Sequence, residues 1–149
     1  MTLLDSRTAG LSAEDWARIW LQYHEEHRDE DFWAVNSMFL LHEEDPERAW
    51  QVILELVAQA SEEQLGAIGA GPLESLIDDH AEAFVDRIEA AAITDTKFQE
   101  ALSGIWLNSF YQKPVTVARL VAASGGAIEP FELDYEKAER EEQERGPGA

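Results

Sequence analysis

The chain has 149 residues with 31 acids against 11 strong bases, a formal net charge of −20, five Trp and no Cys. That length fits one domain with a real core. The missing Cys excludes disulfide frameworks, thiolate metal sites, iron–sulfur clusters and cysteine nucleophiles. No apolar run reaches the ~18 residues of a membrane span, and the N-terminus shows no secretory pattern, so a cytoplasmic protein is expected.

Residues 1–11 read as a flexible leader. Ser12 is a good N-cap with Asp15 three residues on. Trp16, Ile19, Trp20, Tyr23 and His27 then recur on one helical face. Arg28-Asp29-Glu30-Asp31 breaks the pattern, and Phe32, Val35 and Phe39 start a second helix that continues to about Leu41. Asp45 caps a third helix, with Pro46 in the first turn where its missing N–H is not needed. Its stripe is Trp50, Ile53, Leu54 and Val57. Ser61 with Gln64 reads as a capping box for a short fourth helix bearing Leu65 and Ile68. Gly69-Ala70-Gly71 ends it and Pro72 starts the next.

The fifth helix carries Leu73, Leu76, Ile77, His80, Phe84 and Ile88 and is expected to run unbroken to about Ala92. Thr94 or Asp95 caps a sixth, with Phe98, Ala101, Leu102, Ile105 and Trp106 turned inward. Pro114, Val117, Leu120 and Val121 suggest a seventh, ending near Gly125-Gly126. Ile128 to Tyr135 is expected to be extended, and Tyr135 to Arg145 to be a solvated helix or disordered. The final Gly-Pro-Gly-Ala is expected to be loose. No segment alternates with period two. The prediction is an all-α domain of six to seven helices over residues 12–126, orthogonal or stacked as short solenoid-like hairpins. An extended segment and charged tail follow over 127–149.

Some of these residues carry a resemblance. Asp45-Pro46-Glu47-Arg48-Ala49-Trp50, Ala70-Gly71-Pro72-Leu73-Glu74-Ser75-Leu76-Ile77, His80 and Leu102-Ser103-Gly104-Ile105-Trp106 together resemble an uncharacterised family of small bacterial all-helical domains. The Gly-Pro-Leu-Glu element is the most distinctive piece. Where the family pattern often has Gly after the His, this chain has Ala81. The resemblance implies a helical fold and a bacterial source, and it supplies no activity and no catalytic residues.

The nearest thing to a catalytic constellation is His80 with Glu74 and Asp78. Glu74 and Asp78 stand four apart and share a helix face. His80 lies on the apolar stripe, where a histidine that hydrogen-bonds a carbonyl is the plainer expectation, although burial can tune an imidazole across neutral pH. Glu74 also suits the positive end of its helix. His24-Glu25-Glu26-His27 lacks the H-E-x-x-H spacing, and a metal would need a further ligand such as Glu43 or Asp45. No phosphate loop, dinucleotide fingerprint or nucleophile elbow occurs. No metal and no cofactor is expected.

Trp33 follows Phe32, and helical neighbours diverge by about 100°. Trp33 is therefore the candidate exposed aromatic anchor, with Asp29, Glu30 and Asp31 as its acidic rim. The charge repels nucleic-acid phosphates and anionic membranes, and it speeds encounter with a basic partner. The leading expectation is a non-catalytic acidic binding module, of immunity-protein or DNA-mimic type. Its partner would be a basic toxin domain, nuclease or nucleic-acid-binding protein. The alternatives are a small hydrolase or acid–base enzyme using His80 with Glu74 or Asp78, and a helical scaffold subunit.

Overall fold

The computed structural model describes residues 2–146. Its α-helices are α1 (Ala13–Glu26), α2 (Phe32–Glu44), α3 (Pro46–Gln59), α4 (Leu65–Ile68), α5 (Glu74–Thr94), α6 (Thr96–Leu102), α7 (Pro114–Ala123) and α8 (Tyr135–Arg145). The single turn α4 runs through a π-helical turn, Gly69–Leu73, directly into α5. Counted as one body with α5, it leaves seven helices, and the fold is all-α as expected. Among the described residues there is no strand, only one isolated bridge between Asn108 and Phe131.

Local chemistry sets most boundaries. Ser12 Oγ accepts from Asp15 N–H at 3.0 Å to open α1, and His27 closes it in the left-handed region at φ 54°. Asp45 accepts from Arg48 N–H at 3.1 Å, with Pro46 first in α3. Gln64 reaches back to Ser61 N–H at 2.9 Å. Asp95 and Asp134 cap α6 and α8 in the same way. Each such cap satisfies backbone donors that a helix start leaves open, worth about 1 kcal/mol.

The core forms where α1 and α2 pack on α3 and where α5 packs on α2, α6 and α7. Trp16 is fully buried, and its indole N–H donates to Ala34 O at 2.9 Å. Trp50 meets the rings of Phe84 and Phe98 at 5.8 and 5.6 Å. At the α4–α6 crossing a Cβ on Gly69 would stand 1.9 Å from Ala101 O. The backbones therefore touch where only hydrogen fits.

Several expectations change. Phe32 and Phe39 are exposed, because α2 turns Ala34, Val35, Ser37, Met38 and Leu41 inward instead. α2 also continues to Glu44. Trp106 is 72% exposed rather than buried. It lies beyond the end of α6, where a helical face no longer dictates direction. α5 is not unbroken: His80 has φ −136° and ψ 22°, which puts a kink inside it.

Among residues 2–11 there is one turn, Ser6–Thr8, held by Asp5 N–H to Ser37 Oγ and by the Arg48 guanidinium on Thr8 O and Leu11 O. The segment 128–134 is extended and buries Ile128. Asn108 clasps it, donating to Leu133 O at 2.9 Å and accepting from Leu133 N–H at 3.0 Å. α8 buries no residue, which is the solvated-helix form of the expected tail. No described helix is long and apolar enough to cross a membrane.

Candidate functional site

The turn of α5 before the kink, the loop after α6 and the extended segment together frame a cleft of about 430 Å³. Glu74, Asp78 and Asp79 supply its acidic floor. Trp106, Tyr111, Phe131 and Tyr135 supply aromatic walls, with Asn108 and Gln112 between them. Among the described residues no Lys or Arg lines it.

The walls are held by specific contacts. Trp106 N–H donates to Glu74 Oε1 at 2.5 Å, which fixes the loop over the start of α5. The Trp106 indole meets Phe131 edge-on at 6.5 Å. Tyr111 and Tyr135 stack with planes 9° apart, and Tyr111 Oη accepts from Tyr135 N–H at 3.0 Å. Gln112 donates to both Ile77 O and Asp78 O at 3.3 Å, tying the loop to the turn that precedes the kink.

Electrostatically the floor lacks a cation. Asp78 is pushed up to about 6, first by desolvation in the cleft and then by the charges of Glu74 and Asp79. Glu74 is also raised by desolvation, and the Trp106 N–H partly offsets this. Carboxylates crowded together without a counter-ion hold their protons more tightly. A cation entering the cleft would relieve that repulsion, and aromatic faces would add cation–π attraction.

Of the residues singled out in the sequence, Glu74 and Asp78 come together here. His80 does not line the cleft: its ring turns toward α2, where Nε2 lies 2.8 Å from His42 O. A carbonyl only accepts, so Nε2 carries the proton, which is the carbonyl-bonded histidine the apolar stripe suggested. On the same flank His42 Nδ1 lies 2.8 Å from Asp79 Oδ2.

The second predicted site differs from its expectation. Trp33 is half-buried against the core, and the Arg7 guanidinium lies 4.8 Å above its ring. Arg7 is itself held by Asp5, whose carboxyl drops to about 2 through that hydrogen-bonded pairing. Asp29, Glu30 and Asp31 form one turn, in which Arg28 approaches Glu26 and Glu30 at 3.3 Å and Asp31 at 3.4 Å. The aromatic there with an open face is Phe32.

His24 and His27 do not form a pair of ligands with Glu43 or Asp45. His24 stacks on Trp20 with centroids 3.8 Å apart, and burial lowers its pKa. It borders a second, smaller cavity of about 170 Å³, almost wholly apolar, shared with Met38, Phe39 and Pro72.

Sequence reasoning missed Trp106, Tyr111, Phe131 and Tyr135. One local signal was available: Ser103-Gly104 ends α6 before Trp106, so the helical stripe should stop there. Nothing local announces the other three, because they meet through contacts 24 and 25 residues apart.

The model of a family of unknown function (DUF6869) matches residues 22–127. No curated protein and no solved structure matches the chain.

Proposed function

The chain belongs to that family of unknown function, which assigns it no activity, and we propose that it is an acidic binding module of the bacterial cytoplasm that engages a basic protein. The observation that carries this reading is the cleft: three carboxylates without a lining cation, walled by four aromatic side chains. A lysine or arginine side chain satisfies both parts of that chemistry. Its charge offsets the desolvation and the carboxylate repulsion that raise Asp78, and its stem or guanidinium plane packs on Trp106, Tyr111 or Phe131. Trp106, largely exposed, has the character of an interface anchor. The −20 net charge would steer a basic partner toward this face. Toxin domains, nucleases and nucleic-acid-binding proteins are the partner classes with the required charge.

Capture from native lysate at low salt tests the reading, with the wild type beside Trp106→Ala and Asp78→Asn. We expect one enriched basic protein, released as ionic strength rises, and its loss by about tenfold or more with Trp106→Ala. Binding indifferent to salt, or retained in full by both variants, would refute the role given to the cleft.

A second reading has one observation in its favour. A carboxyl near pKa 6 beside another carboxylate is also what acid–base catalysis uses. On that reading Asp78 and Glu74 act in the cleft and His80 only positions α5 against α2. Turnover of a hydrolysable substrate abolished by Asp78→Asn, but unchanged by His80→Gln, would favour it.

A further inference from the structure

At the edge of the cleft where Asp79 faces α2, three potential ligands converge from two helices. His42 and Glu43 occupy the last turn of α2, and Asp79 stands just before the α5 kink. One donor atom from each lies within 4.8 Å of the others. His42 Nδ1 is buried and makes no in-line hydrogen bond; Asp79 Oδ2, 2.8 Å away, lies off the N–H direction. A buried ring nitrogen facing a carboxylate without a formed hydrogen bond is a group short of a partner.

We propose that His42, Glu43 and Asp79 form a binding site for a divalent cation of the zinc class. One imidazole and two carboxylates are a ligand set such ions accept, with water completing the shell. Two ligands of a tetrahedral zinc at 2.0–2.1 Å stand about 3.3 Å apart. His42 Nδ1 and Asp79 Oδ2 therefore need to separate by only about 0.5 Å. Asp79 is half exposed and free to make that move.

Two features of the fold favour positive charge at this place. It lies at the C-terminal end of α2, where the helix dipole is negative. His80 holds the carbonyl of His42 at 2.8 Å, so the last turn of α2 is fixed against the kink and the imidazole starts in place.

The site shares Asp79 with the cleft floor, but it is tested on the protein alone, so its failure is distinguishable from that of the partner reading. Zinc is titrated into the purified chain by calorimetry, and the imidazole nitrogens are followed by long-range proton–nitrogen spectra. The expected result is one saturable site, with the His42 Nδ1 resonance moving and those of His24 and His27 unchanged. Asp79→Asn and Glu43→Gln alter exposed side chains, so folding should survive; circular dichroism checks it. Each should weaken zinc by about tenfold, while His27→Ala should leave it unchanged. Absence of saturable binding up to millimolar zinc would overturn the proposal. So would shifts confined to His24 and His27, or wild-type affinity in Asp79→Asn.

Discussion

Asp78 shows how one side chain couples the cleft to stability. Its carboxyl sits at about 6 in the fold against 3.8 in the open chain. Between those values the folded protein holds a proton that the unfolded chain has released. Stability therefore falls as pH rises through roughly 4 to 6. Asp78→Asn should raise the Tm at pH 7 by about 1–3 °C, solvent screening keeping the effect modest, and should leave it unchanged near pH 3.5. Thermal melts of both proteins at the two pH values check this; an equal shift at both would contradict the assignment. A gain at pH 7 alone would mean that the charge on Asp78 costs the fold stability. Trp106 adds little to folding, since an indole that packs little contributes little to the core.

At the scale of elements, the junction α4–π turn–α5 positions the most. Gly69 brings α4 against Ala101 of α6, and its substitution by Ala would force backbones apart. Gly69→Ala should destabilise by about 3 kcal/mol, an overpacking cost at the upper end for an added methyl. For a chain of this size that lowers the Tm by about 6–12 °C. Gly71→Ala, where an added Cβ meets open space, is the control and should stay close to wild type; a melt of the pair separates packing from backbone entropy. These elements were largely legible in the sequence. Ser12, Asp45, Ser61 and Asp95 mark helix starts through their own side-chain chemistry, and three- and four-residue apolar spacing marks the buried faces. The α5 kink was not legible. No Pro or Gly marks it between Leu73 and Ala92. It falls at His80, whose ring bonds a carbonyl 38 residues away. The site was half legible: Glu74 and Asp78 follow from helical spacing, whereas the aromatic walls depend on where a loop and an extended segment come to rest.

Across the whole molecule, acidity is spread over the fold rather than collected in the tail. Residues 1–110 hold 23 of the 31 acids and only 6 of the 11 strong bases. Many of the bases are already engaged: Arg87 grips Glu47 at 2.6 and 2.9 Å, and Arg119 bridges Asp86 and Glu89. Most of the negative field therefore faces outward uncompensated. Moderate salt should raise the Tm by screening that self-repulsion, and a melt series in sodium chloride measures it; a flat series would show the surface charges already balanced locally. The charge total was readable from composition, but its pairing was not, since Arg87 and Arg119 reach partners 40 and 30 residues distant. The clasp of Asn108 on Leu133 carries one more consequence. The family match stops at residue 127, yet Phe131 and Tyr135 close the cleft from beyond it. Glu74, Asp78 and Asp79 thus lie inside the matched span, and the far wall lies outside it. On the proposed binding role, changes confined to that wall would reshape the grip on a basic side chain and leave the helices beneath it untouched.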